Sequence, residues 1–379
     1  MNNNSNNLPS VLECTSNSRS FDILDDIIFI GNDNGFIDVF QWEEEHKLSS
    51  YNLFKDDTTK DDNNNYKQII QIKVFDKENK VILIQCRGGD IFICKWLNNQ
   101  NMFEIMNAIK THIETFTRGA LCFDKSILFC NKKSNNKDEW LFSFVLPEEK
   151  ENHLRIFNIS KENYKLLSDY SVKVYLEDNN EGNDDSDDSD EGPMKKSIIN
   201  NILITDNNII LSFESGIVGL YDMSLRYLHL LELFDNKNEP IITLYSYTIQ
   251  SNIYICVGMF STNLVILTIK NNQLLRHKVI QKACSDIKCG ISAIAYSSFT
   301  KESEFEDTSK DIQILLIGGY DKRVKCFQIE KEDEYNDIGN VITGGSGIIN
   351  QIEIAIGNEG KEYLFVCCEQ KLFYIYLLS

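Results

Sequence analysis

Apolar and polar positions along the chain repeat one figure seven times. A short apolar run leads to a turn of Gly, Asn, Asp or Glu, and then to an alternating segment that closes on a bulky residue. The clearest copies are Ile27 to Trp42, Val81 to Trp96, Ile209 to Met223 and Ile314 to Ile329; Trp140 to Ile159, Ile253 to Ile269 and Tyr363 to Leu378 are weaker. An apolar run, a turn signal and period-two alternation together predict a β-hairpin. The closing residues are Phe40, Cys94, Phe157, Tyr221, Leu267, Phe327 and Tyr376, spaced 46 to 64 positions apart. A propeller blade takes roughly 40–45 residues, so this spacing predicts seven four-stranded blades, each with an inserted loop.

The predicted fold class is therefore all-β, a seven-bladed β-propeller occupying 9–379 as a single domain, with residues 1–8 disordered. The last hairpin ends at Leu378 and supplies only three strands to its blade. Val11 to Cys14 is expected to pair with Leu372 to Leu377, so that the N-terminal strand completes the last blade and removes an open edge. Loops are expected at the polar stretches 56–65, 98–107, 132–139, 177–196, 300–310 and 330–336, and one short helix at Asn101 to Thr117.

Composition narrows the function. The chain has 379 residues, of which 57 are acidic and 38 basic, and a net charge of -19. Phosphate-backbone binding is built from clustered Lys and Arg, so direct nucleic-acid contact is not expected. The eleven Cys lie mostly in apolar runs, form no CxxC pair and have no His cluster beside them. That pattern predicts buried reduced thiols and no metal site. The N-terminal stretch lacks the basic and apolar regions of a signal peptide, and no apolar run approaches the roughly 20 residues of a membrane span. A soluble nuclear or cytoplasmic protein is expected, with no membrane partner.

The segment Glu177 to Lys196 holds nine carboxylates within residues 177–191. It cannot bury enough apolar surface to offset its ordering entropy and is expected to be disordered, with Ser186 and Ser189 as candidate phosphorylation sites. Gly344 to Gly347 is not followed by the Lys-Ser/Thr of a phosphate cradle and reads as a flexible link. Asp33, Asp90 and Asp321 lie in or beside hairpin turns, where Asp caps backbone groups. No Ser-His-Asp or Cys-His arrangement and no GxSxG occurs, so no catalytic residue and no cofactor is predicted. First strands such as Ile198 to Ile204 and Ile291 to Ala295 read as apolar. The best-formed turns are Cys86-Arg87-Gly88-Gly89-Asp90 and Gly319-Tyr320-Asp321-Lys322-Arg323, and Arg87, Asp90, Tyr320, Asp321 and Arg323 are the candidate turn or partner-binding residues.

At these residues the chain resembles the WD-repeat propellers, and within them the branch of ASTRA-associated protein 1 and the guanine-nucleotide-binding-protein β-subunit-like WD proteins. The likeness lies in Pro9 to Cys14 before the first repeat, Gly31 to Phe40, Cys86 to Asp90 with Trp96-Leu97, Phe129-Cys130, Pro147-Glu148-Glu149, Glu239-Pro240-Ile241 and the Gly319 to Val324 turn. No blade keeps the Trp-Asp pair, Tyr221-Asp222 being nearest, and the Gly-His dipeptide is absent. The resemblance implies a non-enzymatic subunit of an ASTRA-like complex, acting in chromatin remodelling and in stabilising phosphatidylinositol-3-kinase-like kinases. Its partners would be protein subunits, chaperone-associated helical-repeat proteins among them. A generic adaptor in a ubiquitin-ligase, trafficking or RNA-processing complex, or a phosphopeptide or methyl-lysine reader, fits the same residues. The reader would need an Arg cluster or an aromatic cage, and the 16 Tyr leave a cage open.

Overall fold

A computed structural model describes residues 9–55, 67–111, 117–122, 140–148, 152–160, 162–176, 197–233, 239–284, 289–301, 310–330, 334–342, 347–357 and 360–378. The described strands make seven antiparallel sheets of four. In chain order, β1 (Ser10–Glu13) stands alone ahead of the first blade: β2 (Ser18–Leu24), β3 (Ile27–Asn32), β4 (Phe36–Gln41) and β5 (His46–Asn52). The second blade is β6 (Ile69–Asp76), β7 (Val81–Cys86), β8 (Asp90–Leu97) and β9 (Met102–Lys110). The third is β10 (Ala120–Cys122), β11 (Trp140–Pro147), β12 (His153–Ser160) and β13 (Leu166–Lys173), and the fourth β14 (Ile199–Ile204), β15 (Asn208–Phe213), β16 (Ile217–Asp222) and β17 (Tyr227–Glu232). The fifth is β18 (Ile241–Ile249), β19 (Asn252–Met259), β20 (Leu264–Lys270) and β21 (Gln273–Ile280). The sixth is β22 (Ile291–Lys301), β23 (Lys310–Gly319), β24 (Val324–Ile329) and β25 (Tyr335–Ile342). The seventh adds β26 (Ile349–Ile356), β27 (Glu362–Cys368) and β28 (Leu372–Leu377), and takes β1 as its fourth strand in the order β1-β28-β27-β26. The fold class is that of a seven-bladed β-propeller.

The seven predicted hairpins are the second and third strands of the blades, and each closing bulky residue lies on a third strand. These strands read clearly because both their faces are covered: β3, β7 and β15 are buried at every position. First and fourth strands carry half-buried or exposed positions and leave a weaker pattern, as in β13 and β17. Among the described residues of Asn101 to Thr117, the expected helix is not formed. Residues 102–110 are instead β9, whose Phe103 is fully buried, its ring centroid 5.0 Å from that of Trp96 and 5.7 Å from that of Phe29. Burial of that ring overrides a weak helical pattern. Residues 1–8, the insertion 177–196 with Ser186 and Ser189, Phe129-Cys130 and Gly344 to Ser346 lie outside the described residues.

Two compact units divide the strands. One comprises Met1–Ile105, Ser261–Asn263 and Ile280–Ser379; the other comprises Met106–Phe260 and Leu264–Val279. In the first, apolar clusters join blades one and two through Phe29, Ile84 and Trp96, blades six and seven through Leu316, Ile349 and Val366, and blades seven and one through Leu12, Phe21, Phe365 and Phe373. In the second, Val145, Ile156, Ile209 and Phe213 join blades three and four, while Leu220, Ile255 and Leu267 join four and five.

A bulge recurs at the second residue of the first strand in six of these blades, where register shifts between Ser18/Ser20, Ile69/Gln71, Ile199/Asn201, Ile241/Thr243, Ile291/Ala293 and Ile349/Gln351. The extra residue leaves the ladder and re-aims its side chain. Three of these side chains bridge to the next blade within a unit. Asn200 Nδ2 donates to the Ile241 carbonyl at 2.7 Å, Ser292 Oγ to the Ile349 carbonyl at 2.5 Å, and Asn350 Nδ2 to the Ser18 carbonyl at 3.0 Å.

The register of β1 places Ser10, Val11, Leu12 and Glu13 opposite Ile375, Tyr374, Phe373 and Leu372. The pairing agrees with the sequence expectation to within one residue. Cys14 extends it, its N–H donating to the Lys371 carbonyl at 2.7 Å.

Candidate functional site

Turns between second and third strands, together with the connections from one blade to the next, share one end of each blade. In the first unit this end carries the turns at 33–35, 87–89, 320–323 and 369–371. Three of these four turns hold a left-handed residue, and Gly35 (φ 78°) and Gly89 (φ 89°) supply it in two of them without a Cβ penalty. In the sixth blade Lys322 takes that conformation at φ 66°. The predicted residues all fall here. Arg87 anchors its turn by donating its N–H to the Gln68 carbonyl at 2.8 Å, and Asp90 opens β8. Tyr320 donates its N–H to the Gly290 carbonyl at 3.0 Å, and burial raises its phenol above the usual value. Asp321 Oδ1 accepts the Arg323 N–H at 3.3 Å, while Lys322 and Arg323 are exposed. Arg19, from the bulge of β2, pairs with Glu369 at 2.7 Å.

Beneath the first-blade turn lies a buried carboxylate that the sequence reading passed over. Asp38, on β4, has no exposed surface. It accepts the Thr15 N–H at 2.7 Å, the Thr15 hydroxyl at 2.6 Å and the Ser50 hydroxyl at 2.7 Å, and it pairs with the Lys47 ammonium at 2.8 Å. Asn32 Nδ2 approaches the same carboxylate at 3.5 Å and accepts the Asn34 and Phe36 N–H groups through its own side-chain oxygen. One buried charge thus fastens β4, β5, the turn and the link between β1 and β2. Nothing in a lone Asp within Phe36–Gln41 announces this, because its partners come from three other segments.

The expectation of apolar first strands does not hold throughout: Asn200, Asn201 and Ser292 stand in the two segments quoted for it and hydrogen-bond through their side chains, and blades one, two and seven carry charged groups as well. There Asp22 Oδ2 accepts the Val74 N–H at 2.7 Å and lies 3.3 Å from the Lys73 ammonium. Glu353 on β26 is pushed up to about 7 by burial and, second, by the Asp22 charge, with Lys73 and Lys77 opposing. The folded chain therefore holds a proton that the unfolded chain has released between about pH 4.5 and 7, and stability falls as pH rises through that window. Glu353→Gln should raise the melting temperature by about a degree or more at pH 8 and by much less at pH 5. An equal shift at both values in paired melting curves would rule out this titration.

The sequence reading also missed a thiol cluster. Cys284 and Cys289, in the connection from β21 to β22, meet Asp321 of the sixth-blade turn, with one ligand atom of each within 4.8 Å of the others. Both cysteines are buried. The Cys284 thiol is pushed up by its hydrogen bond to Cys289 and then by burial, whereas the Cys289 thiol is lowered chiefly by accepting that bond. The Asp321 N–H donates to Cys289 Sγ at 2.8 Å. A spacing of five residues with a carboxylate far along the chain carries no ligand signature; the blade-to-turn packing creates the cluster.

No protein-family model matches the chain, and no curated protein matches it. Solved structures do. The β-propeller domain of Myceliophteria thermophila Cps50 (Swd1) is similar at TM-score 0.63 and 10% identity, over 98% of this chain and 100% of that one. Saccharomyces cerevisiae Sqt1 is similar at TM-score 0.58 and 9% identity, over 99% and 100%. Chaetomium thermophilum Raptor is similar at TM-score 0.60 and 12% identity over 99% of this chain, which spans only 29% of Raptor's length. At such identities the likeness speaks for architecture alone, and that architecture is the seven-bladed β-propeller.

Proposed function

We propose that the protein is a non-enzymatic WD-repeat scaffold that holds other protein subunits through its second-to-third-strand turns, with Arg87, Tyr320 and Arg323 among the contacts and Asp90 and Asp321 shaping the turns. The observation that carries this reading is the sixth-blade turn. Its backbone is fixed by bonds to Gly290 and Cys289, while Lys322 and Arg323 stand exposed on a chain of net charge -19. A rigid basic pair on an acidic protein suits recognition of an acidic partner surface, because complementary charge orients docking and discriminates against wrong partners. The WD40 architecture supports a scaffold over a catalyst. Within this reading, the residues shared with the ASTRA-associated branch favour membership of an ASTRA-like complex, in nucleus or cytoplasm, with chaperone-associated helical-repeat proteins as partners.

The double charge reversal Arg87→Glu with Arg323→Glu tests it. Affinity purification from the native cell followed by mass spectrometry should recover the partner subunits about tenfold less well with the variant. Its melting temperature should stay within about 1 °C of the parent's. Unchanged recovery would remove the docking surface, and a parent sample without ASTRA-type subunits would remove the finer assignment.

A further inference from the structure

The thiol cluster has a geometry that hairpin packing alone does not require. Cys284 Sγ, Cys289 Sγ and an Asp321 carboxylate oxygen arrive from three chain positions and converge on the open face of Gly319. A Cβ on Gly319 would stand 2.7 Å from Cys284 Sγ, 2.9 Å from Asp321 Oδ1 and 3.0 Å from Cys289 Sγ, so any other residue there would fill the space between the donors. The backbone holds the donors in place. Cys284 donates its N–H to the Thr262 carbonyl at 3.3 Å, Lys322 its N–H to the Gly319 carbonyl at 3.2 Å, and Asp321 its N–H to Cys289 Sγ at 2.8 Å.

We infer that Cys284, Cys289 and Asp321 form a binding site for a single divalent transition-metal ion, with zinc the best match. Two sulfurs at the usual zinc distance of about 2.3 Å, in a tetrahedron, stand about 3.8 Å apart, within the spread of the donors found here. Thiolates select soft or borderline ions, and a carboxylate in the same set favours a dication over monovalent copper. Once both thiols have lost their protons, the site presents three anionic donors to one ion, whose charge offsets their mutual repulsion. The Lys325 ammonium, whose charge reaches Cys284, already serves the Lys282 carbonyl at 3.1 Å and Asp337 at 2.7 Å. Asp321 is partly exposed, so water completes the fourth position. In the binding step the ion forms two metal–sulfur bonds and one metal–oxygen bond, two thiol protons pass to solvent, and no electron moves. The site ties the connection between blades five and six to the turn bearing Lys322 and Arg323.

Cobalt(II) is the probe, because thiolate ligation gives it a sulfur-to-metal charge-transfer band. The full chain, reduced and stripped with a chelator, should take up one equivalent and show that band, and zinc should bleach it. Bound zinc should protect Cys284 and Cys289 from alkylation, read by peptide mass spectrometry on the parent chain, which requires no variant to fold. Cys284→Ser and Cys289→Ser should abolish the band. Gly319→Ala, which fills the cradle and keeps all donors, and Asp321→Asn should each weaken binding at least about tenfold. A reduced chain that takes up no cobalt, equal alkylation with and without zinc, or a band that survives both serine variants would overturn the site. Recovery of a Cys284–Cys289 disulfide together with no metal uptake after reduction would replace it with a redox pair.

Discussion

Removing residues 1–15 should lower the melting temperature by about 8–10 °C. The deletion takes away β1, whose Leu12 is 1% exposed among Phe21, Phe365 and Phe373, and Cys14, which is 3% exposed. Burial of these two side chains is worth roughly 3–4 kcal/mol at about 25 cal/mol per Å² of apolar surface. The cut also bares the edge of β28 and strips Asp38 of both Thr15 hydrogen bonds, leaving a buried charge short of donors. That adds roughly 3 kcal/mol or more. For a chain of this length, 1 kcal/mol moves the melting point by about 1.3 °C. Point variants separate packing from the mere presence of a strand. Leu12→Asp should reproduce most of the loss, whereas Val11→Asp, on the opposite face at 39% exposure, should cost about 1 °C or less. Equal effects of the two in thermal denaturation would mean that β1 does not dock as described.

Asp38→Ala should cost about 3–5 kcal/mol, or roughly 4–6 °C, the range for deleting one partner of a buried charged network. The carboxylate is the shared acceptor for Thr15, Ser50, Lys47 and Asn32, and alanine leaves their donors facing a void. Asp38→Asn keeps the shape but turns one acceptor into a donor, so it should fall between the two. Because Thr15 and Asp38 act through the same bonds, Thr15→Val combined with Asp38→Ala should destabilise by clearly less than the sum of the single changes. Strict additivity, or an alanine variant melting within about 1 °C of the parent, would show that the network contributes little.

The parts of the fold legible in the sequence are those whose chemistry is local. Each second strand is apolar on both faces and each third strand alternates, so seven hairpins stand out of the polar background. Pairing of the N-terminal segment with β28 could be argued because an edge lacked a neighbour. The fourth strand of the second blade was obscured because it buries only Phe103 and Ile109 and leaves the rest exposed or half-buried, which suits a surface helix as well as an edge strand. The functional candidates divide the same way. Arg87, Asp321 and Arg323 are visible as turn residues. Asp38 and the Cys284–Cys289–Asp321 cluster acquire their chemistry only when distant segments meet. A carboxylate's burial and the partner set of a thiol are properties of packing, which spacing does not encode.

The strand pairing that unites residues near 10 with residues near 375 also sets an order of events during synthesis. About 360 residues separate β1 from its partner, and ribosomes add roughly 5–20 residues per second, so β1 waits on the order of twenty to seventy seconds for β28 to emerge. Over that interval the nascent chain carries a strand without its mate. Four residues with a single large buried side chain offer stray chains little to grip, which makes brevity at this position a safeguard for the unfinished polypeptide.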